Sequence, residues 1–160
     1  MNLWQIETAI RPELPDPAGR RILAEAREAG IPSITDVRVV RVFLVQADLD
    51  RAGAENVAAN LFADPVTDLW TLDPPVARTL KGAWNTITIT RKPGVMDPVE
   101  ESSLKALRDL GISARAVRTG RKILYAGASP AALEKWARKS LANEIVDDVQ
   151  FKDVQVREMP

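Results

Sequence analysis

The chain has 160 residues, of which 46% are hydrophobic and 28% charged, and its 22 basic side chains balance 22 acidic ones. This composition is typical of one compact domain or two very small ones, and the neutral balance excludes global steering towards nucleic acid or a membrane surface. Because the chain contains no Cys and no His, it lacks the usual nucleophile, general base and preferred metal ligand. Catalysis by Asp, Glu, Lys, Ser or Tyr remains open, but this composition favours a chain with no catalytic residue, no metal site and no cofactor. The missing disulfides and signal peptide favour a cytoplasmic location.

The first half of the chain predicts, in order, a strand, a helix, a long strand, a second helix and a last strand. Asp16-Pro17 starts the first helix, since the Asp side chain caps free amides and Pro fits the first helical position. Gly30 supplies the left-handed stop. The extended stretch DVRVVRVFLVQA follows, then a helix over roughly 50–62 and the strand VTDLWTL.

Residues 73–83 are predicted to be a linker, because Pro74-Pro75 and Gly82 interrupt any regular pattern. The apolar Val76 and Leu80 indicate that this linker lies against the protein surface rather than extending freely into solvent. The segment divides the chain into two halves of similar length.

The second half of the chain repeats the first. Residues 93–112, PGVMDPVEESSLKALRDLGI, align without a gap with residues 12–31, PELPDPAGRRILAEAREAGI, 81 positions earlier. The strand WNTITIT precedes this segment, and the stretch RAVRTGRKILYAG, a helix over roughly 130–142 and the strand IVDDVQFKDVQV follow it. At an offset of 80, the matches continue in order as Val37, Arg38, Arg41, Leu44, Leu61, Val66 and Asp68 with Val117, Arg118, Arg121, Leu124, Leu141, Val146 and Asp148. Ordered matches along the whole length indicate a tandem duplication.

The duplication predicts an α+β protein of two tandem βαββαβ-like repeats, with antiparallel sheets and helices packed on them. The first repeat covers residues 1–72 and the second covers residues 84–160. A repeat of this size is near the limit at which a single core becomes marginal. We therefore expect the repeats to bury each other's surface around a pseudo-two-fold axis, as a homodimer of single copies would.

The motifs of the second repeat resemble those of PurS, the small subunit of phosphoribosylformylglycinamidine (FGAM) synthase. GVMDPVEESSLKALRDLG is similar to that family's GV-x-DP-x-G…L…LG opening, AVRTGRKILYAG to its VR-x-GK segment and SLANEIVDDVQF to its LLANPVIEDY ending. The first repeat matches more faintly, keeping Gly19 where the second has Glu100, and Pro65, which we align with Ile145. Val40 replaces the Gly of the family's second strand, which Gly120 retains, so the bend expected there has to form differently in the first repeat.

The resemblance implies a non-catalytic, cytoplasmic subunit of the FGAM synthase ligase complex in de novo purine biosynthesis. Such subunits hold the ATP-dependent synthetase subunit to the glutaminase subunit that supplies ammonia. The large single-chain forms of the enzyme carry an N-terminal domain that resembles a PurS dimer on one chain, and this sequence looks like a free-standing version of it. The implied partners are those two subunits, with neither nucleic acid nor a membrane.

The candidate partner-docking residues are basic side chains around TGRK and their counterparts in the first repeat, together with one glycine: Arg118, Gly120, Arg121, Lys122, Arg38 and Arg41. Three cations around a turn suit an acidic partner surface or a phosphate. A solvated basic strand end explains the same pattern equally well. The acidic pair Asp147-Asp148 is a poor chelate, because adjacent side chains of a strand point to opposite faces.

Two other functions remain open at this point. A small-molecule-binding regulatory α+β module predicts a polar pocket at the pseudo-two-fold interface. A small enzyme using Lys or Asp predicts a buried ionisable group with a perturbed pKa in a cleft. The sequence also leaves open whether the chain is a monomer or a homodimer of tandems.

Overall fold

The computed structural model describes residues 1–159, which form one six-stranded antiparallel sheet of order β3-β1-β2-β5-β4-β6. The strands are β1 (Asn2–Ile10), β2 (Asp36–Ala47), β3 (Asp68–Thr71), β4 (Asn85–Arg91), β5 (Ala114–Ala126) and β6 (Asp147–Gln150). The helices are α1 (Pro17–Glu28), α2 (Arg51–Val57, continued by a π-helical turn, Ala58–Phe62), α3 (Val76–Thr79), α4 (Pro98–Asp109) and α5 (Pro130–Ser140). The α+β class is confirmed, and the two repeats share a single sheet.

The predicted capping signals of α1 and α4 are confirmed. The carboxylates of Asp16 and Asp97 each accept a backbone N–H from the first turn of their helix. Gly30 and Gly111 follow the two helices with φ of 94° and 79°, a conformation that residues with a side chain rarely adopt. Local sequence therefore fixes where both helices begin and end.

The centre of the sheet is the antiparallel pair β2–β5, which joins the two repeats. Arg41 of β2 lies directly opposite Arg121 of β5, and Arg121 occupies the equivalent position 80 residues later. A pseudo-two-fold axis therefore passes between these two arginines. The β1–β2 and β4–β5 pairs follow the same symmetry. Trp4 pairs with Val45 in the first repeat, and their counterparts, Asn85 and Tyr125, pair in the second.

One face of the sheet, the helical face, is covered by α1, α2, α4 and α5. Ile22 of α1 packs in one core cluster with Ile123 and with Leu133 of α5, both from the second repeat. Leu107 of α4 packs in the other cluster with Phe43 and further residues of the first repeat. Because each cluster combines both repeats, neither repeat has a complete core of its own.

The opposite face, the linker face, is covered by α3 and by the C-terminal tail (residues 151–159). Val76 of α3 is buried against Val40 and Leu124, as the sequence predicted for a linker that lies on the surface. The tail hydrogen-bonds to the Thr88 side chain of β4 through Lys152 and Val154. It then continues across the sheet to Gln5 of β1, whose side chain bonds Val154 and Val156.

The predicted alignment of the repeats slips by one residue after β2. Asp68 and Asp147 are equivalent, since they pair with Ile10 and Arg91 at corresponding ends of β1 and β4. The offset there is 79 rather than 80, because the first repeat has five positions from Val45 to the helix cap Asp50, whereas the second has four from Tyr125 to the cap Ser129. The counterpart of Val66 is thus Ile145 rather than Val146, and Pro65 corresponds to Glu144 rather than to Ile145.

Gly120 does not mark the expected bend. The register shift of the central pair lies between Gln46 and Ala47, far from this glycine. A Cβ at Gly120 would lie 3.0 Å from the carbonyl oxygen of Ile89, so the glycine permits a close approach of β4. The prediction of a turn around TGRK is wrong for the same region, because residues 114–126 form one continuous strand.

Candidate functional site

Two pockets of similar size occupy equivalent places in the two repeats. The first-repeat pocket has a volume of about 360 Å³ and the second-repeat pocket about 330 Å³. Both are lined by the end of the first strand, the start of the first helix, the central strand and the start of the last strand. The shared positions are Thr8, Ala9, Ile10, Asp16, Ala18, Val39, Arg41 and Asp68 in the first repeat, and Ile89, Thr90, Arg91, Asp97, Val99, Thr119, Arg121 and Asp147 in the second. The repetition makes this pocket the candidate functional site.

The same local features position the side chains of each pocket. The helix-capping carboxylates, Asp16 and Asp97, also bind the neighbouring central strand. Asp16 accepts the Val39 N–H at 2.8 Å, whereas Asp97 accepts the Thr119 hydroxyl at 2.9 Å. These bonds fix the start of α1 and α4 against β2 and β5. Each helix start thereby becomes one wall of its pocket.

The two pockets carry charges of opposite sign. The first-repeat pocket is lined by one arginine and by the carboxylates Asp16, Asp64 and Asp68. The second-repeat pocket is lined by two carboxylates and by three arginines: Arg41, which reaches across from the first repeat, Arg91 and Arg121. The two pockets therefore have equivalent linings but differ in charge, which is negative in the first repeat and positive in the second.

Arg41 lies beside the pseudo-two-fold axis and lines both pockets. Its Nη2 donates to the buried Asp68 Oδ2 at 2.9 Å, while more than half of the arginine side chain remains exposed. Asp68 also accepts the backbone N–H of Asp64 through the same oxygen. Hydrogen bonds from the Val66 and Thr67 amides hold the pKa of the exposed Asp64 carboxyl below its usual value.

Arg121 occupies the equivalent position in the second repeat but has different partners. Its Nη2 donates to the backbone carbonyl of Leu141. Asp147, the counterpart of Asp68, instead pairs with Arg91 at 3.5 Å. Burial lowers the pKa of the Arg121 guanidinium, with Asp147 opposing this shift and Arg91 adding to it. The second-repeat pocket thus holds a desolvated cation without a hydrogen-bonded carboxylate in residues 1–159.

Arg38 and Arg118, two of the predicted docking residues, hold their own repeats together. Arg38 donates to the carbonyls of Pro12 and Leu14, both at 2.9 Å, and so ties β2 to the loop before α1. Arg118 pairs at 3.5 Å with the buried Glu100 of α4. Both guanidinium groups are therefore bound to neighbouring segments of the same chain.

Lys122, another predicted docking residue, is 1% exposed and does not reach the surface. Its Nζ lies 2.7 Å from Oε2 of Glu7, which is 2% exposed, and also contacts Asp153 of the C-terminal tail. This buried ion network joins the first repeat, the second repeat and the tail. The sequence offered one signal for it, since Lys122 aligns with Val42, a buried residue of β2.

The described part of the chain shows neither a metal site nor a membrane-spanning helix. No group of three or more acidic side chains within residues 1–159 is placed to hold a metal ion, including the aspartates of the first-repeat pocket. None of the helices in that range has the length and apolar character needed to span a bilayer.

Comparison with known families finds the same family model twice in this chain. The model, described as PurS: Phosphoribosylformylglycinamidine (FGAM) synthase, matches residues 4–74 and again residues 85–155. The first match contains the whole lining of the first-repeat pocket, and the second contains the lining of the second-repeat pocket except Arg41, Val42 and Phe43. A search of curated proteins found no match.

Proposed function

Because the chain belongs to the PurS family of FGAM synthase, which matches it twice over most of its length, we propose that it is the bridging subunit of that enzyme. FGAM synthase acts in purine biosynthesis, and in this proposal the chain holds the glutaminase subunit against the synthetase subunit. Ammonia then passes between them without loss to water. The chain contributes binding free energy and position rather than covalent chemistry.

The observation that carries this proposal is the fusion of two family repeats into one sheet. The β2–β5 pair and the mixed core clusters make the two repeats a single body. Such a body holds two outward surfaces at a fixed separation, which is what a bridge between two proteins requires. A tandem also gives each surface its own sequence, so that the two surfaces can serve different partners.

Two equivalent exposed aliphatic residues support one contact surface on each repeat. Val66 is 77% exposed and its counterpart Ile145 is 83% exposed, each at the turn before the last strand of its repeat. A singly exposed apolar residue is ordinary, so the support comes from the matching positions of these two residues in the repeats. Of the predicted docking residues, Arg41 has the exposed surface needed for a partner contact.

The test is reconstitution with the glutaminase and synthetase subunits, with and without this chain. We expect omission of the chain to abolish FGAM synthesis from glutamine and to leave synthesis from added ammonia intact. Glutamine-dependent synthesis at the full rate without the chain would falsify the proposal.

A pair of surface variants refines the same experiment. Ile145→Asp places a charge on the proposed contact and is expected to lower the glutamine-dependent rate selectively. Leu110→Asp changes a similarly exposed aliphatic residue at the end of α4 and serves as the matched control. Equal effects of the two variants on the glutamine-dependent rate would show that the turn before β6 is not part of the contact surface.

A further inference from the structure

The second-repeat pocket concentrates like charges across the centre of the sheet. Arg41 and Arg121 are directly opposed in the β2–β5 pair, so both side chains leave the same face of the sheet. Like charges at directly opposed positions destabilise a sheet. Arg91 adds a third guanidinium to the same pocket. An anion between these groups would relieve the repulsion.

The carboxylates of this pocket are already engaged with their neighbours. Asp97 accepts the Val99 N–H through one oxygen and the Thr119 hydroxyl through the other. Asp147 accepts the Asn143 N–H through Oδ2 and faces Arg91 through Oδ1. Within residues 1–159, the hydrogen bond that Arg121 makes goes to a neutral carbonyl. The guanidinium groups therefore keep N–H donors that an added oxyanion can use.

The first-repeat pocket shows that this charge is specific to the second repeat. Ile10 stands where the second repeat has Arg91, so Asp68 is left free to pair directly with Arg41. Asp64 adds a further carboxylate where the second repeat has the neutral Asn143. Two substitutions at equivalent positions thus separate a pocket that repels anions from one that attracts them.

The apolar part of the lining indicates that the anion belongs to a small organic molecule. Phe43, Ile89 and Val99 line the second-repeat pocket beside the arginines. A volume of about 330 Å³ is within the range of small-molecule sites and exceeds what a single inorganic ion fills. We infer that the second-repeat pocket binds a small ligand through a carboxylate or phosphate group held by Arg41, Arg91 and Arg121.

The test uses the isolated chain and does not depend on the bridging function. Inorganic phosphate and glutarate are titrated separately into ¹⁵N-labelled protein, with sodium chloride at matched ionic strength as the reference. Saturable shifts of the Thr119 and Gly120 amide signals, absent with chloride, are expected for at least one probe. The probe that saturates at the lower concentration identifies the preferred group.

Two variants locate the site. Arg91→Ile introduces the residue that the first repeat carries at the equivalent position, and Arg121→Gln removes the central guanidinium. Each is expected to weaken binding by about tenfold or more, the effect of losing a charge-assisted hydrogen bond. Arg51→Gln removes the same charge from the exposed face of α2 and should leave the affinity unchanged. Equal affinities in all four proteins, or shifts no larger than those with chloride, would overturn the inference.

Discussion

Lys122 and Glu7 illustrate how charged residues can stabilise the fold rather than bind a partner protein. The pair is almost fully removed from water, and removing one charge from such a pair leaves the other without compensation. Glu7 also accepts hydrogen bonds from Gln5, Gln155 and the Val76 amide, so the network fixes the tail and α3 on the linker face.

Lys122→Met is expected to lower the free energy of unfolding by about 3 kcal/mol, because Glu7 then remains buried without a cation. The double variant Glu7→Gln/Lys122→Met should recover most of this loss, since it removes both charges. Denaturant unfolding of both proteins measures the difference.

Lys105→Met is the control for this pair. Lys105 forms an exposed helical pair with Asp109, and such pairs contribute well under about 1 kcal/mol. If Lys122→Met cost no more than Lys105→Met, the buried network would have no stabilising role.

At the level of elements, the first turns of α1 and α4 pack against the central strands through different residues. A Cβ at Gly19 would lie 2.2 Å from the carbonyl oxygen of Val37, so α1 rests directly on the β2 backbone. The second repeat carries Glu100 at the same position, and its Oε1 accepts the Thr119 N–H at 3.1 Å. In the first repeat, Asp16 accepts the equivalent N–H. The hydrogen bond is retained although its acceptor has changed.

Gly19→Ala is expected to destabilise the protein by about 2 kcal/mol, because the added methyl group forces α1 away from β2. Arg20→Ala, at the exposed position beside it, is the control for general effects on the helix. Thermal and denaturant unfolding compare the two. If Gly19→Ala lowered the free energy of unfolding no more than Arg20→Ala, then α1 could shift away from β2 without loss of stability.

Sequence patterns predicted those features that depend on neighbouring residues. The caps Asp16 and Asp97 and the linker against the surface follow from local chemistry, and they are confirmed. The burial of Lys122 and the twin pockets depend on residues that are distant in the chain, such as Glu7 and Lys122, which are 115 positions apart, and the β1–β2 and β2–β5 registers bring these residues together. The sequence indicated Arg41 and Arg121 as candidate residues. It could not show that they lie directly opposite each other, because that depends on the register of β2 against β5.

For the whole molecule, the sharing of cores between repeats predicts that the linker is not needed to hold them together. A protease site inserted between Gly82 and Ala83 allows the chain to be cut after folding. We expect the two fragments to elute together in size-exclusion chromatography, because the full β2–β5 pair and both mixed clusters remain intact.

Denaturant provides the control for this cut, since it should separate the fragments that native buffer keeps together. Fragments that elute apart in native buffer at micromolar concentration would contradict the shared-core interpretation. The same column run on the uncut chain reports whether the tandem is a monomer of 17.6 kDa or a homodimer.

The opposed arginines on the pseudo-two-fold axis also have an evolutionary consequence. In a homodimer of single repeats, a residue on the axis meets its own copy, and every mutation of its codon changes both sides at once. Here Arg41 and Arg121 are encoded separately, so a mutation can change one strand of the β2–β5 pair without changing the other. Ile10 and Arg91, at equivalent positions of β1 and β4, show that the repeats already differ beside this pair. A tandem on one chain can therefore have an interface whose two halves differ, which a homodimer of single repeats cannot.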